Sequence, residues 1–469
     1  MLEASVAQMM STRRGAIEAP AGTGKTEQIT LIAKHVPGRW LILTHTVAGV
    51  DAIRKRLKRH GVPADKWQVD TLSAWAHRYA MAYPLGSGLA RTWTVRNGDW
   101  SSVIRAAAHL IEIGTIESVL KASYTGVLVD EYQDCTENHH RLVCVLAKVL
   151  RCYVFGDPLQ AIFGFRDEKL ADWDAQTLAR FPLAGRLETP HRWMAAGNAD
   201  LGYWLIRNRD RFRGGHFDFA GAPACLSWVR ADLKSGANEL ARHCSIRMDD
   251  GHTLNVLHSS RSDTQRADLA KCIKATTVEP VGGRSERLFY DALRTHSGAN
   301  RIEAVLTLAG TVYSGADVAG KRKRVGSLLN NPERMRTPAS KAVLALGAIA
   351  TSQSLHSISD FLVCVGQEPG VTVVRPELLY CVRAALKHCI EYPEVHLDDA
   401  SFEIANARRE RGRIIRNRSV GSTLLVKGLE FDHVVITPHA CDSRQHWYVA
   451  LTRATRSVKV LSPTVRFNI

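Results

Sequence analysis

The stretch EAPAGTGKT, Glu18 to Thr26, follows the short run Gly15-Ala16-Ile17. Gly22 and Gly24 let the backbone wrap an anion where a side chain would crowd it. The loop amides and the N-terminus of the helix that follows then face a phosphate. Lys25 reaches the terminal phosphates, and the Thr26 hydroxyl is placed to ligate magnesium. Ala19 stands at the first position, where the plain phosphate-loop pattern has glycine. A strand before the loop and a helix after it are the context this motif needs, and the pattern supplies both. A nucleoside-triphosphate site is expected.

Outward from that loop, WLILT (Trp40 to Thr44), GVLVDE (Gly126 to Glu131) and CYVFGD (Cys152 to Asp157) are apolar runs ending in small or polar residues. Buried parallel strands read this way. Val50, Ile53 and Leu57 make one helical stripe, with Arg54, Lys55, Arg56, Lys58 and Arg59 filling the rest of that surface. The reading is a doubly wound α/β fold whose ligand crevice lies beyond the carboxyl ends of the strands. A second set begins at Leu254, His433 and Val458. Two α/β domains are therefore expected, 1–212 and 213–469. A small insertion near 77–122 and a mainly helical one near 313–400 interrupt them.

VLVDEYQDCT, Val127 to Thr136, places two acids at the mouth of such a strand. Asp130 is where a carboxylate must sit to hold magnesium opposite Thr26, and Glu131 beside it can align or deprotonate an attacking water. Gln133 and Asp134 are less determined, since a helix N-terminus alone would explain Asp134.

Composition bounds the rest. The chain has 469 residues, 45% of them hydrophobic, enough for two or more domain cores. Its longest apolar run, AVLALGAIA from Ala342, falls far short of the roughly 20 residues that span a bilayer. The start lacks a basic segment followed by an apolar run, so a cytoplasmic protein is expected. The 10 cysteines are scattered with no CxxC pair, which points to reduced thiols and to neither zinc nor an iron–sulfur cluster. A net charge of +16 suits nucleic acid and a solvated basic surface equally.

APAGTGKT, VDEYQD, VFGDPLQAIFGFR, VKGLEF and YVALTRA occur in order from Ala19 to Ala454. In that order the chain resembles the superfamily 1 DNA helicases similar to UvrD, Rep and PcrA, in a compact form similar to the helicase component of Gabija-type anti-phage systems. The resemblance implies two RecA-like motor domains with reduced accessory insertions, ATP and Mg2+ as cofactors, and ATP hydrolysis in a cleft between the domains. It also implies movement from 3′ to 5′ on single-stranded or partly duplex DNA. Gln160 then matches a sensor of the terminal phosphate. Arg192 and Arg453 match two arginines that approach that phosphate from opposite sides, one from each domain. Thr23 joins Gly22 and Gly24 in the phosphate loop. Gln8 and His191 fall where the family reads and stacks on adenine, and Glu430 where it couples the second domain to nucleotide. Phe163, Phe165 and Arg166 match DNA-facing residues, as do Thr44, Thr46 and Thr71.

The departures are concentrated in the DNA segments. His45 stands for a phenylalanine, Val47-Ala48 for Asn-Lys, Leu72-Ser73 for Phe-His, and Leu424-Leu425 for His-Ser. His191 replaces a tyrosine, and Glu27 a basic residue. Two basic runs, Lys321 to Arg324 and Arg408 to Arg418, are candidates to track phosphates. A second function stays open on these grounds. In it the chain is a nucleotide-switched, DNA-sensing subunit that regulates a partner nuclease in a defence or repair complex.

Overall fold

Every residue of WLILT is buried, and alternate residues serve opposite faces of one sheet: Leu41 and Leu43 enter one core, Trp40 and Ile42 the other. Helices cover both faces, so no position in the strand faces water and the run shows no polar alternation. The computed structural model describes residues 2–90, 92–94, 99–163, 168–280, 282–352, 354–411 and 415–469. The chain forms two units. One comprises Met1–Leu226, Ser443–Arg456 and Arg466–Ile469; the other comprises Ser227–Asp442 and Ser457–Val465.

The first unit holds β1 (Arg14–Glu18), β2 (Trp40–Thr44), β3 (Trp67–Thr71), β4 (Gly126–Val129), β5 (Arg151–Gly156) and β6 (Leu183–Arg186), in the order β3-β2-β4-β5-β1-β6. The pairings are parallel. The helix Val47–Arg59 buries Val50, Ile53 and Leu57, the stripe read from the sequence. Two strands escape sequence reading. In β3 Gln68 and Asp70 break the apolar run, and β6 is half-exposed at the sheet edge.

The second unit carries a sheet of β7 (Leu226–Arg230), β8 (Leu254–Leu257), β9 (Thr276–Thr277), β10 (Arg418–Gly421), β11 (Phe431–Ile436) and β12 (Ala454–Ser462), in the order β9-β10-β8-β11-β12-β7, with the first residues of β7 and β12 grouped in the first unit. The pairings of β9 with β10, β10 with β8 and β8 with β11 are parallel. Two six-stranded sheets under helices give two α/β domains of the doubly wound class expected from the sequence.

The helical body of the second unit starts at Arg284, ahead of the expected 313, and has its own core running from Phe289 to Ala400. Phe289, Tyr290 and Leu293, then Ile302, Val305, Leu306 and Ala309, supply the buried helical stripes. Here the first basic run is committed to internal pairing. Lys321 is buried against Glu368, Arg322 pairs with Glu303, and Arg324 donates to the carbonyls of Thr337 and Pro338. In the second run Arg408 pairs with Glu377. The side chains of 409–414 lie outside the described residues.

The units also part differently from the expected boundary at 212/213. Ser443–Arg456 returns to the first unit because Trp447, Phe217, Phe219 and Phe467 pack as one aromatic group, with ring centroids 4.9 to 6.1 Å apart.

In the second unit, His258 is buried with Nδ1 2.8 Å from the Thr437 hydroxyl. Burial first, then His439 and Arg266, pushes its pKa down to about 4. A histidine depressed on folding stabilises above its unfolded pKa of about 6.5 and loses that contribution as pH falls toward the folded value. Acidification from pH 7 to 4 should therefore remove about 3 kcal/mol through this residue. Denaturant unfolding of His258→Gln should show a correspondingly smaller acid loss. An equal loss in both proteins would contradict the assignment.

Candidate nucleotide site

The phosphate loop leaves β1 with Gly22 at φ +71° and Gly24 at φ +84°, the left-handed region that glycine enters without strain. Space is short as well. A Cβ on Gly22 would lie 2.8 Å from the Trp193 ring and 2.9 Å from Arg192 Cβ. Gly22→Ala should therefore displace Trp193 and Arg192 and reduce nucleotide affinity by about tenfold or more; wild-type affinity by equilibrium titration would contradict this. Thr23 is buried, and its hydroxyl donates to Pro20 O at 2.7 Å. Lys25 and Thr26 open the helix Lys25–His35, which buries Ile29, Leu31 and Ile32.

Lys25 Nζ lies 3.2 Å from Asp130 Oδ1 and 2.6 Å from Glu131 Oε1. The two acids follow β4 directly, as expected of a carboxylate pair at a strand mouth. Burial works against the lysine charge, but the pull of Asp130 and then of Glu131 outweighs it and holds the pKa above the ordinary lysine range. Asp130 is pushed upward, by burial first and against the attraction of Lys25. Glu131 adopts φ +55°, a left-handed conformation that costs a non-glycine residue about 1 kcal/mol or more. Such strain persists where the surroundings fix a side chain for a task.

From Glu131 a line of buried polar contacts runs onward. Gln133 Nε2 donates to Glu131 Oε2 at 2.5 Å, and Gln133 Oε1 accepts from Asp157 N at 2.9 Å. Asp157 Oδ2 accepts from Gln160 Nε2 at 2.7 Å and from the phosphate-loop amide of Ala21 at 3.1 Å. Gln160 Oε1 accepts from Arg453 Nη2 at 3.1 Å. Gln133, which the sequence left undecided, is thus the bridge between the acid pair and the Gln160 turn. Asp157 joins that turn to the loop.

The two arginines come together without coming from different units. Arg453 is 1% exposed and belongs with the first unit, as does Arg192. Arg192 Nη1 donates to Thr452 O at 2.8 Å, while Arg453 Nη2 donates to Thr452 Oγ1 at 2.9 Å. The expectation of one arginine per domain is corrected on this point. Trp193 Nε1 donates to Ala454 O and Asn198 Nδ2 to the Thr455 and Arg456 carbonyls, fixing that segment to the first unit.

Beside the loop, Glu3, Glu27, Gln28, Leu31, Thr189 and His191 line a cavity of about 430 Å³. His191 is exposed, and its Cδ2 would lie 3.2 Å from a Cβ on Gly24. Gln8 is exposed on the helix Ala4–Met10 and does not line this cavity, whereas Glu3 does. Glu3 N donates to Gln28 Oε1 at 3.0 Å. Glu430 is in the second unit, exposed ahead of β11.

Thr44 and Thr71 are register partners at the carboxyl ends of β2 and β3, and Thr46 follows two residues later. The Thr46 and Thr71 hydroxyls accept from Gly49 N and Ala74 N, each at 3.0 Å, as helix N-caps. Phe163 is half-buried. Phe165 and Arg166 lie outside the described residues.

Fold and site together define an α/β protein with a phosphate-loop strand–loop–helix whose lysine faces two acids at a strand mouth. Residues 91–173, which contain the acid pair and the Gln160 turn, match the family model of the UvrD/REP helicase N-terminal domain. Among solved structures, Pif1 helicase from Candida albicans is similar at 11% identity and a TM-score of 0.41, covering 98% of this chain and 95% of that one. The Arterivirus nonstructural protein 10 helicase, solved with DNA, is similar at 10% identity and a TM-score of 0.35. This chain is covered over 98% of its length in that comparison and spans 63% of the viral protein. None of the curated proteins matches the sequence.

Proposed function

We propose that the chain is an ATP-dependent DNA helicase or translocase that hydrolyses ATP at this site and moves 3′ to 5′ on single-stranded DNA. The observation that carries the reading is Lys25 held between Asp130 and Glu131 at the mouth of β4, next to a glycine-cradled helix N-terminus. A triphosphate exchanges one set of anions for another at Lys25, with loop amides donating to its oxygens. Glu131 is then freed to orient and deprotonate the attacking water. Gln160 and Arg453 carry the state of the terminal phosphate along the buried line. The donor set fits magnesium, since Thr26 and Asp130 supply a hydroxyl and a carboxylate, the hard oxygen ligands that ion prefers. When bound, the ion neutralises charge on the β- and γ-phosphate oxygens.

The purified chain should hydrolyse ATP faster with single-stranded DNA, and binding should weaken steeply with salt as counterions are released. Phe163→Ala should reduce the stimulation and leave the DNA-free rate intact, because base stacking contributes about 1–3 kcal/mol per base. Parallel loss of both rates with a lowered Tm would return Phe163 to a packing role.

The second reading, a nucleotide-switched DNA sensor acting on a nuclease, is favoured by the eroded DNA segments. The Thr46 and Thr71 hydroxyls are occupied as helix caps, and Leu425 is buried. DNA-stimulated hydrolysis without strand displacement would select it over the helicase reading.

A further inference from the structure

Arg209 lies outside every motif quoted above, on the short helix Arg209–Arg213, yet it is 1% exposed. Its Nε and Nη2 donate to Glu18 Oε1 at 2.9 and 2.7 Å, and Nη2 also bonds Asp157 Oδ1. Glu18 ends β1 and is the register partner of Gly156, the last residue of β5. The guanidinium therefore ties together the two strand ends from which the phosphate loop and the Gln160 turn depart. Asp157 is fully buried, and its two oxygens also take the amides of Ala21 and Leu159 and the side-chain amide of Gln160. The Tyr448 ring centre lies 5.2 Å from the guanidinium carbon, and Nη1 is buried with no hydrogen-bond partner. Apolar residues of similar volume often stabilise a fold as well as a buried ion triad does, so three buried charges on this spot point to fixed geometry more than to stability.

We infer that Arg209 is a positioning residue for the triphosphate site: it fixes the Asp157 carboxylate, which holds the Ala21 amide of the phosphate loop and the Gln160 side chain in one register. The inference rests on the nucleotide reading above. The sequence carried one signal for it, since Glu18 is a charge closing an apolar strand and requires a buried cation.

The test uses the full chain with Arg209→Met and Arg209→Lys, read by amide hydrogen exchange without nucleotide and by ATP hydrolysis with magnesium. Exchange at Ala21 and Leu159, both donors to Asp157, should speed up about tenfold or more in both variants while β2 and β3 keep wild-type protection. kcat should fall about tenfold or more in Arg209→Met with KM for ATP within about threefold, and Arg209→Lys should recover part of kcat. If Arg209→Met does not fold, Arg209→Lys supplies the same exchange reading. Unchanged exchange at Ala21 and Leu159 would overturn the inference. So would a uniform loss of protection across the sheet with normal kcat and KM. Failure of the wild-type chain to hydrolyse ATP would count against the nucleotide reading, and the exchange result would still decide the role of Arg209.

Discussion

Glu131→Gln should leave ATP bound and slow its hydrolysis by about 10²- to 10⁴-fold, the range expected when a positioned general base is removed. The amide keeps the size of the side chain, and Asp130 still faces Lys25 at 3.2 Å, so the phosphate loop keeps its partner. The proton acceptor for water is lost, together with the charge of the closer of the two Lys25 partners. Lys25→Ala should behave differently. It removes the cation for the phosphates and leaves Asp130, 5% exposed, without its ion-pair partner, so affinity and turnover should both fall. Equilibrium binding of ATP and single-turnover hydrolysis separate the two. Hydrolysis by Glu131→Gln at the wild-type rate would remove Glu131 from its role.

Arg453→Ala should cost about 10³-fold or more in turnover, as removal of an arginine that stabilises the transferring phosphoryl group does. The guanidinium touches Gln160 Oε1, Thr452 Oγ1 and Val449 O, so truncation also leaves a buried gap and unpaired acceptors. Arg453→Lys keeps the charge and most of the volume but not the fork, and should recover stability more than rate. Arg192→Ala should also cut turnover while leaving ATP affinity mostly intact. Arg192 is held through Thr452 O, so exchange or crosslinking that reports on Thr452 should change in both arginine variants. Melting temperatures of the two Arg453 variants, read beside kcat, distinguish a catalytic loss from a folding one.

Four strands of the first sheet, β1, β2, β4 and β5, were legible because they are largely buried on both faces and therefore mainly apolar, as in WLILT and GVLV. β3 was not, because an edge strand of five residues carries Gln68 and Asp70. That Lys25, Asp130 and Glu131 stand together was legible, because the pattern puts the lysine on a loop after one strand and the acids at the mouth of another. Gln133 and Arg209 were not, because their partners are distant in sequence: Gln133 meets Asp157, and Arg209 meets Glu18. The placement of Arg453 was missed for a related reason. Order along the chain put it after the second sheet, whereas hydrogen bonds from Trp193 and Asn198 attach its segment to the first unit. The basic run at Lys321 looked like a phosphate track until its partners Glu368 and Glu303 were brought near by the helical body.

The measurement closest to the heart of this reading is steady-state ATP hydrolysis by the purified chain with magnesium, with and without a single-stranded DNA oligonucleotide, run beside Glu131→Gln. Hydrolysis stimulated about tenfold or more by the oligonucleotide, and lost in Glu131→Gln, is the expected result. Hydrolysis that ignores DNA, or that survives in Glu131→Gln, would contradict a DNA motor driven from the Lys25, Asp130 and Glu131 site.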